Sequence, residues 1–385
     1  MAGANLFDPG VVLEGAVIEA SYACENTPLL RQLDLQRVPR MIDPQTVRFT
    51  GSRYLETKSL LELPYAPETP ITAENFNEAQ ALELTRSALL FQQDASVDHF
   101  TVPALPVRDQ DFQLWIRHTD ALLAAATALN GGKHLDRRPL IAQIAPGPMA
   151  LRTPQFLVNR LIDYPIDGVY VQPLNLNPTS DSPEKLNQYV VFLRALVEAG
   201  IPVIASQVGA FGLVLQAMGI SAFDSGLGMA ESCNLARLTR PVTPKERARR
   251  SDGNSAGPKK RLYLHPLMTT LPADQAQVIL SEQIGLKAKF VCTKGCCRFR
   301  GFEDLVDRGR NHYLWTRMDE VESLRAAATP GMKVEVAHKW LQDARETSRH
   351  VRRAALAHGL SVPSFKHLDA WIGVLERDVR ARDII

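Results

Sequence analysis

The chain has 385 residues, 45% of them hydrophobic and 22% charged, with a formal net charge of +2. That length and composition allow a large core, as one α/β domain or two smaller ones, and the near-neutral charge excludes a generic polyanion binder. No apolar run reaches the roughly 18 residues of a membrane span, so no membrane partner is expected.

The start, "MAGANLFDPG", lacks the basic n-region and apolar h-region of a secretory signal, so a cytoplasmic location is expected. Along the first hundred residues, "GVVLEGAVIEA" and "VPRMIDPQTVRF" read as short strands and "AENFNEAQALELTRSALLFQQ" as a helix. From Val97 the rhythm is regular. "VDHFTVPALP", "RPLIAQIAP", "IDGVYVQPL", "IPVIASQV" and "ISAFDSG" read as strands, separated by the helices "FQLWIRHTDALLAAATAL", "PQFLVNRLIDY", "SPEKLNQYVVFLRALVEAG" and "AFGLVLQAMG". β-Branched runs alternating with amphipathic helices call for parallel strands with helical crossovers.

Gln143, Gln172, Gln207 and Asp224 each follow or end one of these strands, where both barrels and open doubly wound sheets place ligands. No glycine-rich dinucleotide fingerprint follows a strand. Counting the early strands, the alternation predicts an α/β fold, a (β/α)8 TIM-type barrel over residues 1–330. It would carry a small zinc-binding subdomain near 285–325 and end in a C-terminal helical segment, 331–385.

Two segments break the rhythm. Residues 237–261, "RLTRPVTPKERARRSDGNSAGPKKR", hold nine Lys or Arg against two acids and read as a loop. Arg247, Arg249, Arg250, Lys259 and Lys260 are its candidate phosphate contacts, a solvated insertion being the other reading. Further on, "VCTKGCCRFRG" clusters Cys292, Cys296 and Cys297, and His312 follows in "GRNHYLWTRMDEVESL". In a chain of this length such a cluster is not a disulfide framework. Three thiols and an imidazole match a structural Zn2+ site, with reduced thiols and a surface histidine as the alternative. The later "RETSRHVRRAALAHG" reads as a second basic face or as a plain amphipathic helix.

The stretch "IPVIASQVGAFGLVLQAMGISAFDSGLG" resembles the tRNA-guanine transglycosylases, whose barrel carries a strand, a glycine-containing turn, a short helix and then an Asp after a Phe. The resemblance runs over about residues 95–325. It implies that Asp224 is the nucleophile attacking the ribose C1′ and that Gln143, in "LIAQIAPG", binds the exchanged base. It implies too that "DGVYVQPLNL" with Gln172 and the turn at Gly209 belong to the substrate pocket. Cys292, Cys297 and His312 fall where the family's zinc ligands fall, with Cys296 in place of the middle one.

The second carboxylate would be Asp43, in "MIDPQT". Asp98 is the last carboxylate before "HFTVPALP", where the family's base-recognition segment would fall. The family's "Pro-Thr-Arg" after the nucleophile is replaced by "GLGMAES", which fits the branch that inserts 7-deazaguanine into DNA slightly better.

Base exchange at C1′ needs one carboxylate to trap the sugar carbon and a second acid to move protons on the bases. Capping or turn roles remain the other readings of Asp224 and Asp43, and a rim hydrogen bond that of Gln143. The expected function is therefore exchange of guanine for a 7-deazaguanine in DNA or tRNA. A non-catalytic subunit of the same fold and an unrelated TIM-barrel enzyme on a small molecule are the alternatives, and a homodimer or heteromeric partner is open.

Overall fold

Short apolar strands that end on a polar residue set the framework. The computed structural model describes residues 13–23, 27–224, 232–241, 243, 260–281 and 306–382. Strand β1 (Ala16–Glu19) pairs in parallel with β2 (Arg40–Asp43), placing Glu19 opposite Asp43. A second parallel sheet runs in the order β3 (Phe100–Val102), β5 (Leu140–Pro146), β6 (Gly168–Val171), β7 (Val203–Ala205) and β8 (Ala222–Phe223). Strand β4 (Pro106–Val107) continues alongside β5. The two sheets adjoin where the Asp98 N–H donates to the Arg40 carbonyl and the Asp98 carboxylate accepts from the Arg40 N–H.

The helices fall where the apolar periodicity demands. Phe112–Leu129, Gln155–Leu161, Pro183–Glu198 and Phe211–Ala217 each connect one parallel strand to the next. β5 is buried along its whole length, as a strand covered on both faces must be. The chain is thus α/β with a parallel sheet, as expected. Strand β9 (Arg261–Leu264) forms an antiparallel hairpin with β10 (Thr269–Pro272). Among the described residues no ladder joins β8 to β9 or β9 to β1.

Several boundaries differ from the sequence reading, each for a local reason. "VPRMIDPQTVRF" is extended only to Asp43. Pro44 offers no N–H for a ladder, Gln45 adopts φ 57°, and the chain turns into a 3-10 segment, Thr46–Thr50. The helix read from Ala73 starts at Glu78, because Asn77 and Gln80 close a reciprocal capping box. "VDHFTVPALP" is divided at Pro103 into β3 and β4.

Toward the end of the chain, helices Pro330–Ala357 and His367–Arg382 pack together. Arg345 pairs with Asp369 at 2.8 Å and His338 with Glu376 at 3.4 Å, which sets the two helices antiparallel. Trp371 donates through Nε1 to the Pro178 carbonyl beyond β6, and Arg382 reaches the Met218 carbonyl before β8. His367 therefore starts near the end of the sheet where the strands finish.

The helix Gly309–Ala326 locks against β8 and β9 through one buried cation. The Arg317 guanidinium lies 4.7 Å from the Tyr263 ring centroid and 5.9 Å from that of Phe223, and pairs with Glu320 at 2.7 Å. Burial pushes the Glu320 carboxyl up, but Arg317 and hydrogen bonds from His265 and Tyr263 outweigh it and hold it below the usual range.

Gly212, on the helix before β8, packs directly on Phe223. A Cβ there would fall inside the van der Waals envelope of the Phe223 ring. Gly212→Ala is expected to lower the unfolding free energy by about 1–3 kcal/mol, the range for overpacking a well-filled core. Urea denaturation reads this directly, and an unchanged midpoint would show that the ring has room to shift.

Candidate active site at the strand ends

Each parallel strand delivers its last polar residue to the same end of the sheet. Glu19 closes β1 and Asp43 closes β2, Gln143 lies within β5, Tyr170 and Gln172 lie at the end of β6, Ser206 follows β7 and Asp224 follows β8. A parallel sheet with helical crossovers concentrates its functional groups there.

Asp43 is the hub. Its Oδ1 accepts from the Gln45 backbone N–H and from Gln143 Nε2, both at 2.8 Å, and its Oδ2 accepts from Gln172 Nε2 at 2.8 Å. Gln143 Nε2 also donates to Gln172 Oε1 at 2.5 Å, while the buried Gln143 Oε1 has no hydrogen-bond partner among the described residues. The Gln45 side chain donates to Glu19 Oε2 at 2.9 Å and accepts from the Ser21 N–H, so it ties the first two strands together.

Asp224 is anchored by its backbone, its N–H donating to Ala205 and its carbonyl accepting from Val208. Tyr170 donates from its hydroxyl to Asp224 Oδ2 at 3.1 Å and lies 2.7 Å from Ser206 Oγ. Gln172 Nε2 is 3.4 Å from the same hydroxyl. A continuous hydrogen-bonded path therefore runs from Glu19 through Gln45, Asp43, Gln172 and Tyr170 to Asp224.

The electrostatics follow from bringing three carboxyl groups together, with Asp43 buried, Asp224 half-buried and Glu19 open to solvent on one side. Burial pushes the Asp224 carboxyl up to about 6. The Tyr170 hydrogen bond opposes that rise, the charges of Asp43 and Glu19 add to it, and the Gln207 backbone N–H opposes it again. Glu19 is also raised, by burial and then by Asp43, with Arg48 and Gln45 pulling it back. Burial, then Asp224 and Asp43, push the Tyr170 phenol well above its ordinary range, so it stays a donor to Asp224. Cys233 behaves likewise: burial and the two aspartates keep it a thiol. Such an arrangement suits a developing positive charge, and the Asp224 carboxyl is mostly ionised at neutral pH.

The sequence-derived candidates divide clearly. Asp224, Asp43, Gln143 and Gln172 come together. Gly209, at φ 56°, lies in the tight turn that leaves β7, where Gln207 is also left-handed at φ 52°. Asp98 does not join the site. It lies at the opposite end of the strands, where its carboxylate holds the first residue of β2 by the Arg40 N–H at 2.7 Å, and the substrate-pocket expectation for it is corrected. Lys260 is exposed at the start of β9 and pairs with Asp307. His312 is buried in the first turn of its helix.

Arg247, Arg249, Arg250, Lys259, Cys292, Cys296 and Cys297 lie outside the described residues, as do the residues directly after Asp224. Among the described residues no cluster of His, Cys, Asp or Glu has the geometry to hold a metal ion. Sequence reasoning passed over Glu19, Gln45, Tyr170 and Ser206. Glu19 had a usable signal, since it ends its strand as Asp43 ends the next. Tyr170 had none, because a tyrosine in "GVYV" reads as core.

No family model matches the sequence, and no curated protein matches it. Among solved structures the chain is similar to a nitroalkane oxidase from Streptomyces ansochromogenes, at 12% identity over 97% of this chain and 96% of that one, with a TM-score of 0.26. A likeness that low carries no argument about fold or activity.

The folded state holds the Asp224 proton more tightly than the unfolded chain does, so between about pH 4 and pH 6 stability falls as pH rises. Asp224→Asn removes that term. The variant is expected to exceed the wild type in unfolding free energy by about 1–3 kcal/mol above pH 7 and to match it near pH 4. A difference that stays flat across this range would refute the buried carboxyl.

Proposed function

We propose that this chain is a base-exchange transglycosylase acting on nucleic acid, with the parallel strands closing as a (β/α)8 barrel. The observation that carries the reading is the convergence of Asp224, Asp43 and Gln143 at one end of the sheet, joined through Gln172 and Tyr170. These are the residues that the resemblance to the tRNA-guanine transglycosylases picks out, and they are far apart in sequence.

In the proposed reaction one Asp224 oxygen bonds to C1′ of the target nucleotide while the C1′–N9 bond breaks. The bonding pair leaves with the purine, which takes up a proton. The incoming 7-deazaguanine then displaces the Asp224 ester from C1′ and gives up a proton as it does so. Asp43, accepting three N–H groups, is the group placed to take that proton. The partnerless carbonyl of Gln143 offers an acceptor to a donor on the base edge.

The target base has to leave its stack to reach such a pocket. Cys292, Cys296 and Cys297 with His312 are a donor set of the structural zinc type. The buried position of His312 in a helix suits a ligand held by a rigid element. Bound there, the ion would brace the segment after β9.

Stalled turnover should leave a covalent protein–nucleic acid adduct, seen by denaturing gel, that Asp224→Asn abolishes. Turnover should fall by about 1,000-fold or more in that variant and by about 100-fold or more in Asp43→Asn. Activity should rise with pH through about 6 as Asp224 ionises. Absence of both adduct and guanine exchange on DNA and tRNA would sink the reading. Unchanged activity of a co-purifying pair after Asp224→Ala would assign the chemistry to the partner.

A further inference from the structure

We infer that the groove along the end of helix Pro330–Ala357 is a binding site for the phosphodiester backbone flanking the target nucleotide. The groove has a volume of about 1040 Å³ and is lined by Arg349, Arg352, Arg353, Leu356 and the turn that follows the helix. Positions 349, 352, 353 and 356 are spaced i, i+3, i+4 and i+7, so they share one helix face. All three arginines are exposed and make no ion pair among the described residues. Arg345, one turn earlier, is already paired with Asp369. Asp343 and Glu346 mark the acidic limit of the groove, so the free cations are confined to the last three turns.

Position gives the second argument. Along the partner helix, Arg382 sits by Met218 at the end where strands begin, and Trp371 by Pro178 at the end where they finish. Its antiparallel neighbour matches 338 with 376 and 345 with 369, so residues 349–353 continue in the same direction. The free arginines are therefore carried about 6–12 Å past Arg345 toward the end of the sheet that holds Asp43 and Asp224. Three carboxylates in that pocket repel phosphate, and a polyanion presenting one nucleotide to it needs cations at the rim. Planar guanidinium groups on successive turns suit consecutive phosphates, and their contact is blind to sequence.

This inference rests on the proposed reaction, and its test separates the two. Binding is measured by fluorescence anisotropy with the full chain carrying Asp224→Asn, so that no chemistry is needed, on a labelled DNA duplex and on labelled tRNA. The triple variant Arg349→Glu, Arg352→Glu, Arg353→Glu is expected to weaken binding to the true substrate about tenfold or more. It should also reduce the slope of log K against log salt by about 2–3 between roughly 50 and 200 mM. The exposed positions predict an unchanged melting temperature, which controls for folding. Affinity of the triple variant equal to that of the parent on both nucleic acids overturns the inference, as does failure of the parent to bind DNA and tRNA alike. A change in oligomeric state with no change in nucleic-acid binding also overturns it, because the groove then holds a second copy. If the binding loss appears and base exchange does not, the groove stands and the proposed reaction falls.

Discussion

The arrangement at the strand ends depends on satisfying one buried anion. Asp43 accepts from the Gln45 backbone and from the side chains of Gln143 and Gln172, which belong to two further strands. A carboxylate taken from water without such donors would cost several kcal/mol, so the three bonds are a condition of burial. They also fix the register in which β2, β5 and β6 present their polar residues. Loss of any donor leaves a buried oxygen short of a partner and frees an amide to rotate. The hub therefore couples strand packing to the geometry of the pocket.

Asp224 is held in the opposite way. Its backbone is tied to β7 by bonds from and to Ala205 and Val208, while its carboxylate has the Tyr170 hydroxyl as its side-chain donor. Desolvation then outweighs stabilisation, and its proton is held to about pH 6. A group kept in that state destabilises the fold at neutral pH, which selection tolerates where reactivity needs it. The support lies behind the strand. Phe223 is wedged between Gly212 and the Arg317 guanidinium, so the residue before the carboxylate has little freedom. The left-handed Gln207 beside it adds a backbone donor that a regular turn would aim elsewhere.

Much of this was legible in the sequence, for reasons that can be named. Helices such as Phe112–Leu129 and Pro183–Glu198 announce themselves by apolar period, and Ser182 caps the second. Strands β5 to β8 do so by short buried runs that end on a polar side chain. The same rule picked out Gln143, Gln172 and Asp224, whereas Asp43 was read from the family resemblance. The sequence reading failed for Asp98, which the resemblance alone suggested, because a carboxylate just before a strand serves the far end of the sheet. It failed for Tyr170 because only the neighbouring strands reveal that its hydroxyl meets Ser206 and Asp224. Gln45 was hidden by Pro44, which turns the chain so that its amide points back to Glu19.

The charge layout constrains what can occupy the pocket. Glu19, Asp43 and Asp224 are mutually repulsive, and Arg48, which is 4.0 Å from Glu19, is itself depressed by burial, which weighs more than the attraction of Glu19 and Asp43. A phosphate placed among them would meet like charge, most strongly beside the buried Asp43. A neutral base and a sugar carbon gaining positive character would meet stabilising charge instead. If the substrate is a polyanion, its phosphates must stay outside and its reacting nucleoside must enter alone. That separation demands cations on the rim and carboxylates within, so the arginine face beyond Arg345 and the acidic pocket would serve a single binding event.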